Sequence, residues 1–368
     1  MSYSLGTTYK TTLFGQSHAP AIGCVIEGIP CGTNIDFNAL NKFLSRRAPG
    51  NKPGATSRKE SDVPQILSGL NEDNICCGTP LCAVIYNQDQ RSGDYKDIKY
   101  TPRPSHSDYP AYVKYAGNND TRGGGAFSGR LTAALCISGG IAKQILKDTY
   151  NIDVSAHIMR ISNISDDSFA AYDTKHASQT RLMNQIKELE DKDFPVLNKD
   201  AAKSMQNYIR HVSQEKDSCG ALVECVACGI KPGIGNPRFR GIDSLLASAM
   251  LSIPSVKAFE IGSGMDVASM LGSENNDEYE IDNGQVIPTT NNAGGVIGGI
   301  TTGAPVVFKV AIKPTPSIGI TQNTVNLQDL TNTTISIKGR HDSCIAIRVV
   351  PVVEAVCAMV LLDAILSN

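Results

Sequence analysis

Several things are scarce in this chain of 368 residues, and each scarcity removes a class of function. There is no surplus of positive charge: 34 Lys and Arg face 36 Asp and Glu, the net charge is −2, and charged residues are only 19% of the total. Nucleic-acid binding through overall basicity is therefore not expected, and any attraction to anions has to come from local clusters. No segment approaches the ~18 uninterrupted apolar residues of a membrane span. The opening MSYSLGTTYKTTLFG also lacks the apolar stretch of a secretory signal. The expectation is a cytoplasmic protein that engages neither nucleic acid nor membrane. Neither G-x-x-x-x-G-K-[ST] nor G-x-G-x-x-G occurs at the main glycine run, which argues against a conventional nucleotide loop there.

A disulfide framework is also missing. The cysteines number 11, and an odd count without an export signal fits reduced thiols. Cys225 and Cys228 form a C-x-x-C, but ALVECVACGI alternates as a strand does, which sends residues three apart to opposite faces. No second C-x-x-C and no histidine pair follows at zinc-finger spacing. No metal is expected, and buried thiols are the default.

What is present is a succession of short apolar runs rich in β-branched residues: AIGCVIEGIP, PLCAVIYN, DVSAHIMRI, ALVECVACGI, VKAFEIGSG, APVVFKVAI and TISIKG. Each has the length and composition of a strand. Helical patterns lie between them. DFNALNKFLSRRAPG has a polar cap candidate at its start and stops at Pro49–Gly50, and SGRLTAALCISGGIAKQILK puts Leu131, Ala134, Leu135, Ile141 and Ile145 on one face. IDSLLASAMLSIP stops before Pro254, and VEAVCAMVLLDAIL is apolar enough to be mostly buried. Strands and helices do not alternate strictly enough for a doubly wound sheet. The polar stretch 162–218 reads as an excursion of surface helices, and with no sharp linker or repeat the chain 1–368 is expected to be one domain.

The densest glycine lies in TRGGGAFSGRLTAAL, Thr121 to Leu135, where three glycines stand between two arginines ahead of a helical pattern. Glycine loses more backbone freedom on folding than any other residue, so such a run marks a dispensable loop or a place where something must touch the backbone. Ser128 is a candidate N-cap, and accessible N–H groups at a helix start beside arginines suit an anion. A flexible loop with two solvated arginines fits the same residues, and the segment alone leaves both readings open. Other segments divide in the same way. His18 in GQSHAP and His106 in RPSHSDY can be catalysts or structural hydrogen-bonding groups. Arg46, Arg47, Lys52 and Arg58, in RRAPG…RKESD, can form a solvated basic loop. The paired glycines of NNAGGVIGGITTGAP suit tight turns or close approach to a flat ligand. KPTPSI and KGRHDSC add cations and the triplet Arg340–His341–Asp342.

Taken in order, these segments resemble chorismate synthase. That family carries G-[DE]-S-H-G, R-R-x-P-G followed by R-x-E-x-D, R-P-x-H-x-D-Y followed by D-x-R-G-G-G, A-G-G-x-x-G-G-I, K-P-T-x-S and G-R-H-D. Here they stand as GQSHAP, RRAPG…RKESD, RPSHSDY…DTRGGG, AGGVIGGI, KPTPS and GRHD, over nearly the whole chain. The resemblance implies an α+β fold of the family's β-α-β sandwich type, a homotetramer, and the last step of the shikimate pathway. In that step 5-enolpyruvylshikimate 3-phosphate loses phosphate and a ring proton by anti-1,4-elimination to give chorismate. Reduced FMN is required although substrate and product show no net redox change.

A substrate with two carboxylates and a phosphate, beside a flavin with another phosphate, needs several cations in good geometry, and arginine's planar fork suits both groups. By the resemblance, Arg47, Arg103, Arg130 and Arg340 bind substrate, with Arg46, Lys52 and Ser128 beside them. The flavin contacts fall on Ala126, Phe127 and Ser128, on Pro254 and Ser255, on Gly298 and Arg340, and on the segment Lys313, Pro314, Thr315, Pro316 and Ser317. His18 assists the departing phosphate, His106 protonates the reduced flavin, and Asp342 helps the flavin N5 take the ring proton. Histidine titrates near ~6.5 and so suits proton transfer near neutrality. Departures from the family pattern fall mainly on flavin contacts. Ala126 and Phe127 stand where relatives carry Arg and Ser, and Pro254-Ser255 where many carry Asn-Ala. Gln16 and Ala19 flank His18 in place of Glu and Gly, and Pro53 replaces a cation, with Lys52 alongside. Ala126 and Phe127 motivate a rival reading, a non-catalytic relative that binds flavin or an anionic ligand. With no dinucleotide motif and no added domain, an external flavin reductant is expected, rather than NADPH oxidised by the chain itself.

Overall fold

AIGCVIE and LCAVIY, two of the most apolar runs early in the chain, become neighbouring strands of one sheet. In the computed structural model, which describes residues 3–50, 62–87, 99–174, 176–282, 284–337 and 342–368, the chain opens with β1 (Ser4–Leu5), β2 (Lys10–Gly15) and β3 (Ala21–Glu27). Then come α1 (Phe37–Arg47), β4 (Gln65–Ser68), β5 (Leu81–Tyr86), α2 (Asp108–Lys114) and α3 (Thr132–Tyr150). The strands pair antiparallel in the order β1-β2-β3-β5-β4. Asp36 caps α1 as its sequence predicts, accepting the N–H groups of Asn38 and Ala39.

The second half runs β6 (Asp153–Ile161), β7 (Ile164–Ser165), α4 (His176–Leu189), α5 (Lys199–Gln214), β8 (Ala221–Cys228), α6 (Ile242–Leu251), β9 (Val256–Ile261) and a short α7 (Gly272–Asn275). A hairpin β10 (Tyr279–Asp282) and β11 (Gln285–Pro288) follows, then the two-residue pair β12 (Val296–Ile297) and β13 (Ile300–Thr301). β14 (Val306–Ile312), the hairpin β15 (Gln322–Asn326) and β16 (Thr331–Ile335), and α8 (Ala346–Ser367) complete it. A second antiparallel sheet has the order β7-β6-β8-β14-β9.

Between the sheets lie α3 and α8, packed on each other. α3 backs onto β2, β3 and β5, and α8 onto β6 and β8, so the layers read sheet, helices, sheet. The sequence permits the close helix crossing at SGG: a β-carbon on Gly139 would overlap Ala355, and one on Gly140 would come within 2.6 Å of Leu40. α8 is apolar and long enough to cross a membrane, but 83% of its apolar window is buried inside the protein, so it is a core helix. Its Asp363 ties down the N-terminus, accepting the N–H groups of Thr7, Thr8 and Tyr9.

The strand expectations hold for six of the seven runs, with ends shifted by a few residues. TISIKG is different: β16 occupies 331–335 and only its last two residues belong to that run. Cys225 and Cys228 face opposite sides of β8 as the alternation predicts, one into the main core and the other into a smaller cluster with Leu182, Ile186 and Leu189 of α4. The polar stretch 162–218 does contain two helices, but each buries an apolar stripe, in α5 Met205, Ile209 and Val212.

Candidate active site

The three glycines of the run have φ of +62°, +94° and +54°, a region that side chains rarely enter. At Gly123 and Gly125 space forbids a side chain as well. A β-carbon on Gly123 would lie 2.6 Å from Cδ2 and Nε2 of His18, one on Gly124 would touch the ring of His106 at 3.5 Å, and one on Gly125 would overlap the carbonyl of Asp120. The run therefore passes against both imidazoles. It is not itself the helix start that its position suggests: Ser128 caps a single 3₁₀ turn, Gly129–Leu131, accepting the Arg130 N–H at 3.2 Å, and α3 begins only at Thr132.

His18 sits in the turn between β2 and β3 and is buried. Two clamps hold that turn. The Ser17 N–H donates to the Gly125 carbonyl at 3.1 Å, and Asn87 Nδ2 donates to the carbonyls of Gln16 and Ala19 at 3.2 and 2.7 Å.

His106 precedes α2, next to Ser105, whose φ is +58° and whose carbonyl accepts from Lys313 Nζ. Asp108 lies 2.6 Å from His106 Nδ1 and also accepts from Arg103 Nε at 2.7 Å and Nη2 at 2.9 Å. Arg103 Nη1 donates to Ser317 Oγ at 3.1 Å. Arg103 Nη2 also stands 3.1 Å from His106 Nδ1, but an arginine cannot accept a hydrogen bond, so the Nδ1 proton points to Asp108 and Nε2 is the free acceptor. Burial lowers the His106 pKa, the Asp108 hydrogen bond opposes that, and the Arg103 charge lowers it further. The imidazole is thus neutral near pH 7. Burial works against the Asp108 carboxylate, yet hydrogen bonds from Arg103 and His106 hold it well below the usual carboxylate range.

A second cluster gathers the arginines. Arg47, at the end of α1, donates through Nε to Thr132 Oγ1 at 3.1 Å, through Nη1 to Asp62 at 2.7 Å and through Nη2 to the Gly129 carbonyl at 2.8 Å. Arg130 donates to the other oxygen of Asp62 and, through Nε, to Asn87 Oδ1 at 3.0 Å. Burial alone would raise the Asp62 pKa, but the two guanidinium charges hold it down. Arg348 adds a third: its Nη1 donates to Asp342 at 2.6 Å and its Nε to the Arg47 carbonyl at 3.1 Å. Among the described residues, these three guanidinium groups share the carboxylates of Asp62 and Asp342. Asn87 joins this cluster to the His18 turn.

The structure does not bring every expected residue here. Arg46, one residue from Arg47 and so about 100° away around the helix, turns to Glu354 of α8 with bonds of 2.9 and 2.6 Å, and Lys143 shares that carboxylate. These bonds tie Arg46 to α8, whereas Arg47 turns to Asp62. Gly298 (φ +62°) heads the turn between β12 and β13, where nothing among the described residues lies within 4 Å of a would-be β-carbon; its neighbour Gly299 packs on Asn236 and Gly241. Lys52 and Arg340 lie outside the described residues. Asp62, Asn87 and Arg348 were not singled out from sequence. Asp62 closes the quoted RKESD segment, and asking what neutralises Arg47 on burial would have found it; Asp108, which stands out beside Arg103 and His106 in RPSHSD, proves to be the partner of both.

The chain's residues fit a flavin mononucleotide on three counts. The Thr315 Oγ1 hydroxyl of KPTPS is buried without a hydrogen-bond partner among the described residues. Phe127, beside the glycine run, is 40% exposed. The Lys313 N–H donates to the Ser255 carbonyl at 2.9 Å, which joins the 254–255 turn to KPTPS.

The chain is similar to known proteins along its length. A family model for chorismate synthase matches residues 9–366. The chorismate synthase of Lancefieldella parvula is 44% identical, the match covering 100% of this chain and 97% of the relative. That of Methanococcus vannielii is 42% identical with the same coverage, 100% and 97%. A crystal structure of chorismate synthase aligns with a TM-score of 0.76 at 26% identity, covering 98% of this chain and 93% of that one.

Proposed function

The chain belongs to the chorismate synthase family, and on that premise we propose how its own residues run the reaction. The activity is loss of phosphate and a ring proton from 5-enolpyruvylshikimate 3-phosphate to give chorismate, a phosphate-eliminating lyase step. The observation that carries the proposal is that His18 and His106, from separate turns, pack against consecutive glycines.

The guanidinium groups of Arg47, Arg130 and Arg348 draw the anionic substrate toward the site. His18 donates to the leaving phosphate, and its buried turn keeps water from that oxygen. His106 is neutral in the free protein, but anions arriving nearby favour its imidazolium. Asp108 then steadies the charge at Nδ1 while Nε2 becomes the donor. Asp342, anchored by Arg348, assists removal of the ring proton. Reduced FMN, when bound, supplies electron density to the allylic system and a basic nitrogen for that proton. Thr315, Ser317, Lys313, Phe127, Ser128 and the 254–255 turn would hold it. On this reading the protein acts as a homotetramer and takes its flavin from an external reductant.

Anaerobic phosphate release tests the proposal. Release is expected with reduced FMN and not without it, and His106→Ala should lose about 10²-fold or more in kcat. Tight binding of substrate and reduced flavin with no release would favour the non-catalytic reading. FMN reduction by NADPH and the purified protein alone would remove the external reductant.

A further inference from the structure

We infer that Arg348 is a positioning residue of this site, fixing the Asp342 carboxylate to the frame that carries Arg47. The inference rests on the functional reading above, in which Asp342 serves proton removal.

Arg348 lies in the first turn of α8, in the otherwise apolar run AIRVVPVV. Its guanidinium joins two elements. Nη1 reaches Asp342, on the segment leading into α8, at 2.6 Å, and Nε reaches the carbonyl of Arg47, the last residue of α1, at 3.1 Å. Helix-terminal carbonyls have no donor within the helix, so Arg348 caps α1 with the same group that holds the carboxylate. From Arg47 the connection continues through its own guanidinium to Asp62, Thr132 and the Gly129 carbonyl. This side chain therefore links Asp342 to the arginines expected to meet the substrate.

Bulk stability does not explain an arginine here. Its side chain is only 16% exposed, and replacing a buried ion pair by well-packed apolar residues is often neutral or stabilising. Burial also lowers the pKa of Arg348, a direction that reflects the cost of keeping the charge there. Lysine could not substitute. Its ammonium is a single point on a flexible stem, whereas the planar fork offers two donors at a fixed angle to two acceptors.

The test is a double-mutant cycle with Arg348→Lys, Asp342→Asn and both together. It is read in anaerobic phosphate release, in urea unfolding of the ligand-free proteins, and in titration with oxidised FMN. Arg348→Lys should lower kcat about tenfold or more, with substrate KM and FMN affinity changed by less than about threefold. In the double variant, turnover should be no slower than with Asp342→Asn alone, and the unfolding effects should be less than additive. Turnover within about twofold of the wild type, or losses that multiply in the double variant, would overturn the inference. If Arg348→Lys fails to fold, Arg348→Ala with added guanidinium replaces it: recovery of turnover supports positioning, and recovery of stability without turnover refutes it. A wild type that releases no phosphate defeats the functional reading instead. The unfolding cycle then still decides, additive values ruling out the coupling of Arg348 to Asp342.

Discussion

His18 and His106 rest on consecutive residues of one glycine run, the first against Gly123 and the second against Gly124. The contacts differ in tightness, and the difference is measurable. Gly123→Ala forces a β-carbon to within 2.6 Å of the His18 ring, whereas Gly124→Ala meets His106 at an ordinary 3.5 Å. Both strain a positive φ, at about 1–3 kcal/mol each. Anaerobic turnover should therefore fall about 10²-fold or more in Gly123→Ala and less in Gly124→Ala. Equal losses would mean that the His18 contact is incidental.

Asp108 opposes the effect of burial on His106. Asp108→Asn removes that support, so the imidazolium becomes harder to form and its pKa moves lower. The limb of the kcat/KM profile that reports His106 should shift toward acid, with kcat down about tenfold or more. A limb that stays in place would detach His106 from Asp108.

His157 is fully buried, with Nδ1 on Asp166 at 2.9 Å and Nε2 on Glu224 at 3.0 Å. Both ring nitrogens then donate, which only the imidazolium can do. Burial opposes the charge, but the two hydrogen bonds outweigh it and raise the pKa. A folded pKa above the unfolded value of about 6.5 stabilises fully below that value, and the contribution is lost as pH rises through the folded pKa. The stability gap between wild type and His157→Gln should therefore be wide at about pH 6 and narrow toward about pH 9, read by urea unfolding. A gap that grows with pH would contradict it.

Glu354 has the opposite sign. Burial would raise its pKa, but Arg46 and Lys143 bring it down to about 2. Its contribution is present above the unfolded value of about 4.3 and is lost as pH falls toward the folded one. Glu354→Gln leaves two cations without their counter-ion, and should cost on the order of 3 kcal/mol at neutral pH and less in acid, by urea unfolding.

The sheets were largely legible because alternation and apolar runs are local properties, as in ALVECVACGI, where the opposite facing of Cys225 and Cys228 follows from strand period alone. The site was legible only in part. The histidines and the glycine run stood out, but the steric reason for Gly123 lies in the ring of His18 and that for Gly125 in the carbonyl of Asp120, neither of which the run itself shows. Arg46 and Arg47 look equivalent in RRAPG and part company because a helix turns them to different carboxylates, Glu354 and Asp62. Arg348 was hidden in an apolar helix, where its tertiary contacts to Asp342 and the Arg47 carbonyl give it a role.

A crystal structure of the protein with oxidised FMN and substrate tests the central claim most directly. The account predicts both ligands against Gly123 and Gly124, with His18 in hydrogen-bond reach of the substrate phosphate and His106 Nε2 in reach of the flavin. Ligands seated elsewhere, in contact with neither imidazole, would contradict it.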